Sequence, residues 1–242
     1  MRLDKYLAQA GLGTRSEVKK WIRSGRVLLD GREASRPEET VGEGAEVVFD
    51  GREIPAPGLE YYMLYKPAGI VSATEDLRDR TVVELITCPH ARGLFPVGRL
   101  DKDTEGLLIL TNDGALAHRL LSPRKHVEKT YFARVKGLVT QEDVDIFAAG
   151  MDIGDDKPTQ PAVIFDREVL QGGETELKIT VTEGRYHQIK RMFQRIEKPV
   201  LYLKRLTMGG LALDGSLKRG EFRRLTEEEV GRLREMEGRP TK

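Results

Sequence analysis

The run VGRLDKDTEGLLILTNDG, from Val97 to Gly114, sets Asp101, Asp103, Glu105 and Asp113 around a strand-like apolar stretch, with Arg99 two residues before the first carboxylate. Three chemistries suit such a cluster: cation binding, a polar turn with no chemistry, and a single reactive carboxylate. Asp101, Asp103, Glu105 and Gly106 meet the first half of a calcium loop. Its last ligand position is Asn112 in place of the bidentate Glu, and LLIL reads as a strand where a helix should leave the loop, so no metal is expected. If Asp101 is reactive, it ends a strand at a cleft, Thr104 and Gly106 shape the turn behind it, and Asp103 and Glu105 are solvated. Such a carboxylate needs a cation to hold it ionised and aimed, and Lys190, Arg191 and Arg99 are the candidates. On this motif alone, the polar turn and the reactive carboxylate both stand.

The elements that must position these residues belong to a chain of 242 residues, with 39% hydrophobic and 33% charged residues. That length fits one large or two unequal domains, and the composition fits a soluble globular protein. The start, MRLDKYLAQAGLG, mixes charges among its apolar residues, so it is neither a signal peptide nor a membrane span, and a cytoplasmic location is expected. The one cysteine, Cys88, makes no internal disulfide, and no Cys and His set has zinc spacing. Net charge is only +1, but it is unevenly spread. Met1 to Arg36 carries nine Lys or Arg against four Asp or Glu, Pro37 to Glu60 one against seven, and Arg185 to Arg224 eleven against three. Two basic blocks separated by neutral or acidic sequence are the footprint of a polyanionic partner.

In the first block, Leu3, Tyr6, Leu7 and Ala10 share a helical face that Gly11 ends. Thr14 and Glu17 form a capping box, and Val18, Trp21 and Ile22 make the buried stripe of a second helix, with Trp21 read as packing. Arg15, Lys19 and Arg23 recur every four residues on the opposite side, beside Lys20, as a cationic ridge. RVLLDGRE and AEVVFDGREI each read as a small hairpin with an Asp-Gly turn. EIPAPGLE is a linker, giving domains 1–53 and 61–242 joined by 54–60.

The remainder alternates strands and helices. YYMLYKP and LLILT are apolar-rich strands, and NDG turns into the helix ALAHRLL. KTYFARV alternates, with Tyr131, Ala133 and Val135 on one face, as does ELKITVT. QIKRMFQRI is a helix with Ile189, Met192, Phe193 and Ile196 as its stripe and Lys190, Arg191 and Arg195 off it. The expected class is α+β with a mostly antiparallel mixed sheet.

The first ~50 residues, one small-domain length, resemble the RNA-binding module of ribosomal protein S-four. GRLDKDTEGLLILTNDG, with KPAGIVS, EKTYFARV and EGRYHQIKRMF in order, resembles the pseudouridine synthases, in the branch acting on ribosomal RNA and nearest to the enzymes that modify 16S rRNA. That resemblance implies isomerisation of a uridine without metal or cofactor. It makes Asp101 the catalytic aspartate, Tyr131 the tyrosine stacked on the target base, Lys190 the basic partner of the aspartate, and Arg99 the residue that fills the space of the extruded base. It leaves open whether the aspartate attacks C1′ or takes a proton from C2′. Arg15, Lys19, Lys20 and Arg23, with Arg185, Arg191 and Arg195 near the cleft, are the expected phosphate contacts. His187 and His126 are expected to touch RNA or make structural hydrogen bonds. The expected partner is ribosomal RNA, 16S in an assembling small subunit, bound by a monomer away from membranes. Large-subunit rRNA synthases and a non-catalytic ribosome-assembly factor are the alternatives.

Overall fold

The computed structural model of the chain describes residues 1–42, 44–55, 58–88 and 93–235. It divides into two compact units, the first of residues 1–60 with Thr87–Phe95 and the second of the remainder. The break at residue 60 falls where the proline-bearing stretch ends; Ala56 and Pro57 of that stretch lie outside the described residues. The sequence places Thr87–Phe95 with the second domain, whereas the structure groups it with the first. Gly93 shows why: it runs so close to Gln9 that a β-carbon would stand 3.0 Å from Gln9 Cγ. Such a contact between residues distant in sequence leaves no periodic signal.

The first unit begins with α1 (Leu3–Gln9) and α2 (Arg15–Arg23). The capping box forms as expected, with Glu17 N donating to Thr14 Oγ1 and Thr14 N donating to Glu17 Oε2 at 2.8 Å. Strands β1 (Val27–Leu29), β2 (Arg32–Glu33), β3 (Val47–Phe49) and β4 (Arg52–Glu53) form an antiparallel sheet in the order β2-β1-β3-β4. Asp30 and Gly31, like Asp50 and Gly51, both take positive φ, the geometry a two-residue hairpin demands. Leu3, Leu7, Val18, Ile22, Val27 and Val47 are fully buried in one core, against which Trp21 packs half-buried. α2 therefore spends its apolar face on this core and turns its cations outward.

The second unit contains β5 (Tyr61–Lys66), β6 (Phe95–Pro96, of which Phe95 is counted with the first unit), β7 (Glu105–Thr111), α3 (Gly114–Leu121), β8 (Lys129–Lys136), α4 (Gln141–Ala149), β9 (Val163–Val169), β10 (Glu174–Val181), α5 (Gln188–Arg195), β11 (Val200–Met208), β12 (Leu211–Ala212), β13 (Phe222–Arg224) and α6 (Glu227–Glu235). Its main sheet runs β13-β5-β7-β11-β8-β10-β9. Only β7 and β11 are parallel; the other neighbours along that path are antiparallel. This is the α+β, mostly antiparallel mixed sheet that the sequence implies. β7 is buried at every residue, as its unbroken apolar run requires, while β8 and β10 alternate. α5 buries Ile189, Met192 and Phe193, with Phe193 tilted against Phe147 of α4 at 4.7 Å, and ends before Ile196, which is its C-cap. No helix among the described residues is long and apolar enough to cross a membrane.

The parallel pair depends on one glycine. Gly106 faces Arg205 at φ 107°, and a β-carbon there would lie 2.2 Å from the Arg205 carbonyl oxygen. Arg205 is itself buried and donates from Nε to Leu107 O at 2.7 Å. Gly106→Ala is expected to cost more than about 2 kcal/mol, because strain and a backbone clash coincide. Urea denaturation checks this as a lowered midpoint with an unchanged slope.

Candidate active site

Asp101 opens a tight turn in which Thr104 N donates to Asp101 O at 3.1 Å. The segment KPAGIVS braces that turn from both sides. The wholly buried Lys66 ammonium, at the end of β5, donates to the carbonyls of Asp101 (3.0 Å), Lys102 (3.2 Å), Thr104 (2.8 Å) and Pro67 (3.0 Å). Ser72 Oγ lies 2.9 Å from Leu100 O and 3.1 Å from Leu100 N, bonded to both, while Gly69 N donates to Lys102 O at 2.7 Å. A buried charge is tolerated only where fixed dipoles replace water, and most of the dipoles here belong to the Asp101 turn itself. Burial pulls Lys66 down to about 8 against the opposing pull of Asp103, Asp101 and Glu105, which leaves it charged at neutral pH.

Opposite the turn, α5 places Lys190 in its first helical turn. Lys190 Nζ lies 2.9 Å from Asp101 Oδ2 and 2.5 Å from Asp103 Oδ1. Burial works against the Lys190 charge, but its bonds to Asp103 and Asp101 outweigh burial and hold it above the ordinary lysine range. Burial likewise pushes Asp103 up, and Lys190 more than reverses this. His187, the N-cap of α5 in the left-handed region at φ 49°, sets Nε2 3.5 Å from Asp101 Oδ1. The Asp101 carboxylate thus meets two side chains from the start of α5, with one ammonium directly on it.

Asp101, Lys190, Tyr131, Arg99 and Arg185 line one cleft open to solvent, with His187 on the same wall. Tyr131 is buried on β8, level with Arg205 on β11 and Ile179 on β10. Arg99 is exposed at the rim. Arg191 and Arg195 do not line the cleft. Arg191 donates to Ile153 O at 2.6 Å and pairs with Asp155 at 2.5 Å; Arg195 Nε donates to Asp152 O at 3.0 Å. Arg185 bonds Glu183 at 3.1 Å and the carbonyls of Lys157 and Pro158 at 2.6 and 2.7 Å. These arginines therefore tie down the 152–158 loop.

In the first unit, Lys20 and Arg23 are exposed on α2. Arg15 and Lys19 stand 3.2 and 3.9 Å from Asp4, a carboxylate whose burial is overridden by Arg2 and Arg15 so that it stays below its usual range. Glu105 departs from expectation. It is buried, not solvated, and accepts from Tyr202 Oη at 2.7 Å and Arg219 Nε at 2.8 Å. Asp113 caps α3, accepting from Ala115 N and Leu116 N at 3.0 Å each. Sequence reasoning gave no role to Lys66 or Ser72 and set His187 apart from the carboxylate. The signal for the first two was KPAGIVS itself, whose Lys-Pro closes a strand at a point that a surface lysine would not need.

The family model described as RNA pseudouridylate synthase matches residues 60–195, and that of the S4 domain matches residues 1–47. A Bacillus subtilis protein named uncharacterized RNA pseudouridine synthase YtzG is 47% identical over 97% of this chain and 99% of its own. Ribosomal small subunit pseudouridine synthase A of Vibrio parahaemolyticus is 41% identical over 95% of this chain and 98% of its own. A crystal structure of a pseudouridylate synthase superposes with a TM-score of 0.67 at 36% identity, covering 96% of this chain and 99% of that one. The chain belongs to the RNA pseudouridylate synthase family, as an enzyme that carries an S4 domain ahead of its catalytic domain.

Proposed function

We propose that this enzyme isomerises one uridine of small-subunit (16S) ribosomal RNA to pseudouridine, with Asp101 as the reacting group. The observation that carries the reading is the Asp101 carboxylate, bound by Lys190 at 2.9 Å in the cleft that Tyr131 lines. The choice of small-subunit RNA rests on the relative of that name, which matches nearly end to end.

The reaction breaks the N1 to C1′ bond, turns the uracil, and joins C5 to C1′; a proton leaves C5 and one is gained at N1. Asp101 either attacks C1′ or removes the C2′ proton, and both routes need its carboxylate held in one place against the sugar, which the Lys190 ammonium at 2.9 Å does. The freed base must not escape while it turns, so an aromatic wall that excludes water is worth more than a strong acid. Tyr131 is that wall. Extruding the uridine costs a few kcal/mol, and Arg99 at the rim has the planar donors to fill the vacated stack. Lys20 and Arg23 supply phosphate contacts away from the chemistry.

Asp101→Asn is expected to keep RNA affinity and lower pseudouridine formation by at least about three orders of magnitude. Primer extension after carbodiimide treatment, run on both subunits' rRNA, reads this; a mutant working at the wild-type rate removes Asp101 from the mechanism, and a stop in large-subunit RNA alone changes the substrate. Lys190→Met should slow turnover about ten- to a hundredfold, Lys190→Arg less. Asp103→Asn should stay within about threefold, since that side chain is 74% exposed. Single-turnover rates separate these variants. In the first unit, Lys20→Ala with Arg23→Ala should weaken binding at all sequences and reduce the slope of log affinity against log salt by about 2, measured by salt titration of a labelled rRNA fragment.

A further inference from the structure

The turn between β10 and α5 carries a ring that the reaction as described does not use. Tyr186 is 77% exposed, while every other tyrosine of the chain is buried or half-buried. Its ring lies flat on His187, with centroids 3.8 Å apart and planes 17° apart. His187 in turn reaches to 3.5 Å from Asp101. The two rings make a stack that begins at the Asp101 carboxylate and ends in solvent.

That stack is rigidly mounted. Arg191 Nη1 donates to Tyr186 O at 3.1 Å, Gln188 N donates to Arg185 O at 3.2 Å, and Arg185 N donates to Gln188 Oε1 at 3.0 Å. The guanidinium groups of Arg185 and Arg191 anchor the same turn to the 152–158 loop. His187 holds a left-handed backbone, φ 49°, that a non-glycine residue adopts at a cost. An exposed ring gains little from burial, so this mounting is not explained by stability. A fixed aromatic face instead lowers the entropy of binding a flat partner.

We propose that Tyr186, backed by His187, is a stacking platform for the base of an unpaired nucleotide next to the target uridine. The proposal rests on the reading of the Asp101 cleft as the uridine site. When the uridine leaves its stack for the cleft, both flanking bases lose a stacking partner; Arg99 fills the vacated place in the stack, and Tyr186 takes up a flanking base that is itself unpaired beside the entrance. Stacking of this kind tolerates any base because each has a π face.

The full-length enzyme is assayed on small-subunit rRNA transcribed with uridine tritiated at C5, counting tritium released. Tyr186→Ala and Tyr186→Leu are expected to raise KM about tenfold with kcat within about twofold, because flanking-base stacking binds ground and transition states alike. Tyr186→Phe keeps the ring and should match the wild type; melting temperatures of all three should stay close to wild type. A KM for Tyr186→Ala within twofold of wild type overturns the platform. So does a Tyr186→Phe as impaired as Tyr186→Ala, which would assign the effect to the hydroxyl, or a loss confined to kcat, which would assign it to His187 and Asp101. A wild type that releases no tritium from this RNA, either free or in partly assembled small subunits, overturns the substrate reading first, and is distinguished from failure of the platform by that blank.

Discussion

A buried ammonium sets the shape of the turn that carries Asp101. Lys66 is inaccessible to solvent, and four backbone carbonyls converge on it, three of them from residues 101 to 104. Taking a lysine out of water is expensive unless its donors are satisfied, so the turn cannot open without stranding the charge. The same cage points the Asp101 carbonyl inward, and its side chain lines the cleft, where Lys190 meets it. One electrostatic requirement thus couples the end of β5 to the carboxylate thirty-five positions later.

The strand that follows is held as tightly. Glu105 starts β7 buried under Tyr202 and Arg219, and Gly106 lets β11 approach in parallel. Because β11 also pairs with β8, this register brings Tyr131 alongside Arg205 and so onto the cleft that Asp101 lines. The buried Glu105 shows the usual arrangement for such a charge: its burial is outweighed by the Tyr202 and Arg219 hydrogen bonds, which hold it below the ordinary range. Carboxylates that look alike in sequence have therefore separated into different physical roles. Asp101 lines the cleft, Asp103 shares Lys190, Glu105 locks a strand, and Asp113 caps a helix.

The cations have separated in the same way. Arg185, Arg191 and Arg195 are largely engaged by carbonyls and carboxylates of the 152–158 loop, which makes the wall of the cleft firm before any RNA arrives. Arg99 keeps its exposure at the rim, and Lys20 and Arg23 keep theirs on α2. A guanidinium with five donors can brace a loop and still present an edge to phosphate. Preorganisation of this kind is what a reaction with a detached base asks of its enzyme, since geometry and exclusion of water supply most of the rate.

Local physics is legible in a sequence, and here it read well. Helical spacing gave α1, α2 and α5, Asp-Gly pairs gave the two small hairpins, period-two alternation gave β8 and β10, and the unbroken apolar run gave β7, because each is set by neighbours a few residues apart. The motif around Asp101 left Lys190, Arg191 and Arg99 as candidate cations, the family resemblance pointed to Lys190, and the structure puts that ammonium 2.9 Å from the carboxylate. What no local pattern contains is which distant groups share a buried volume. That Lys66 is a caged cation, that Glu105 is buried, that His187 touches Asp101 and carries Tyr186, and that Thr87–Phe95 returns to the first unit were all decided by tertiary structure. Burial and charge pairing between residues tens of positions apart depend on the register of the whole sheet, and that register exists only once the chain has folded.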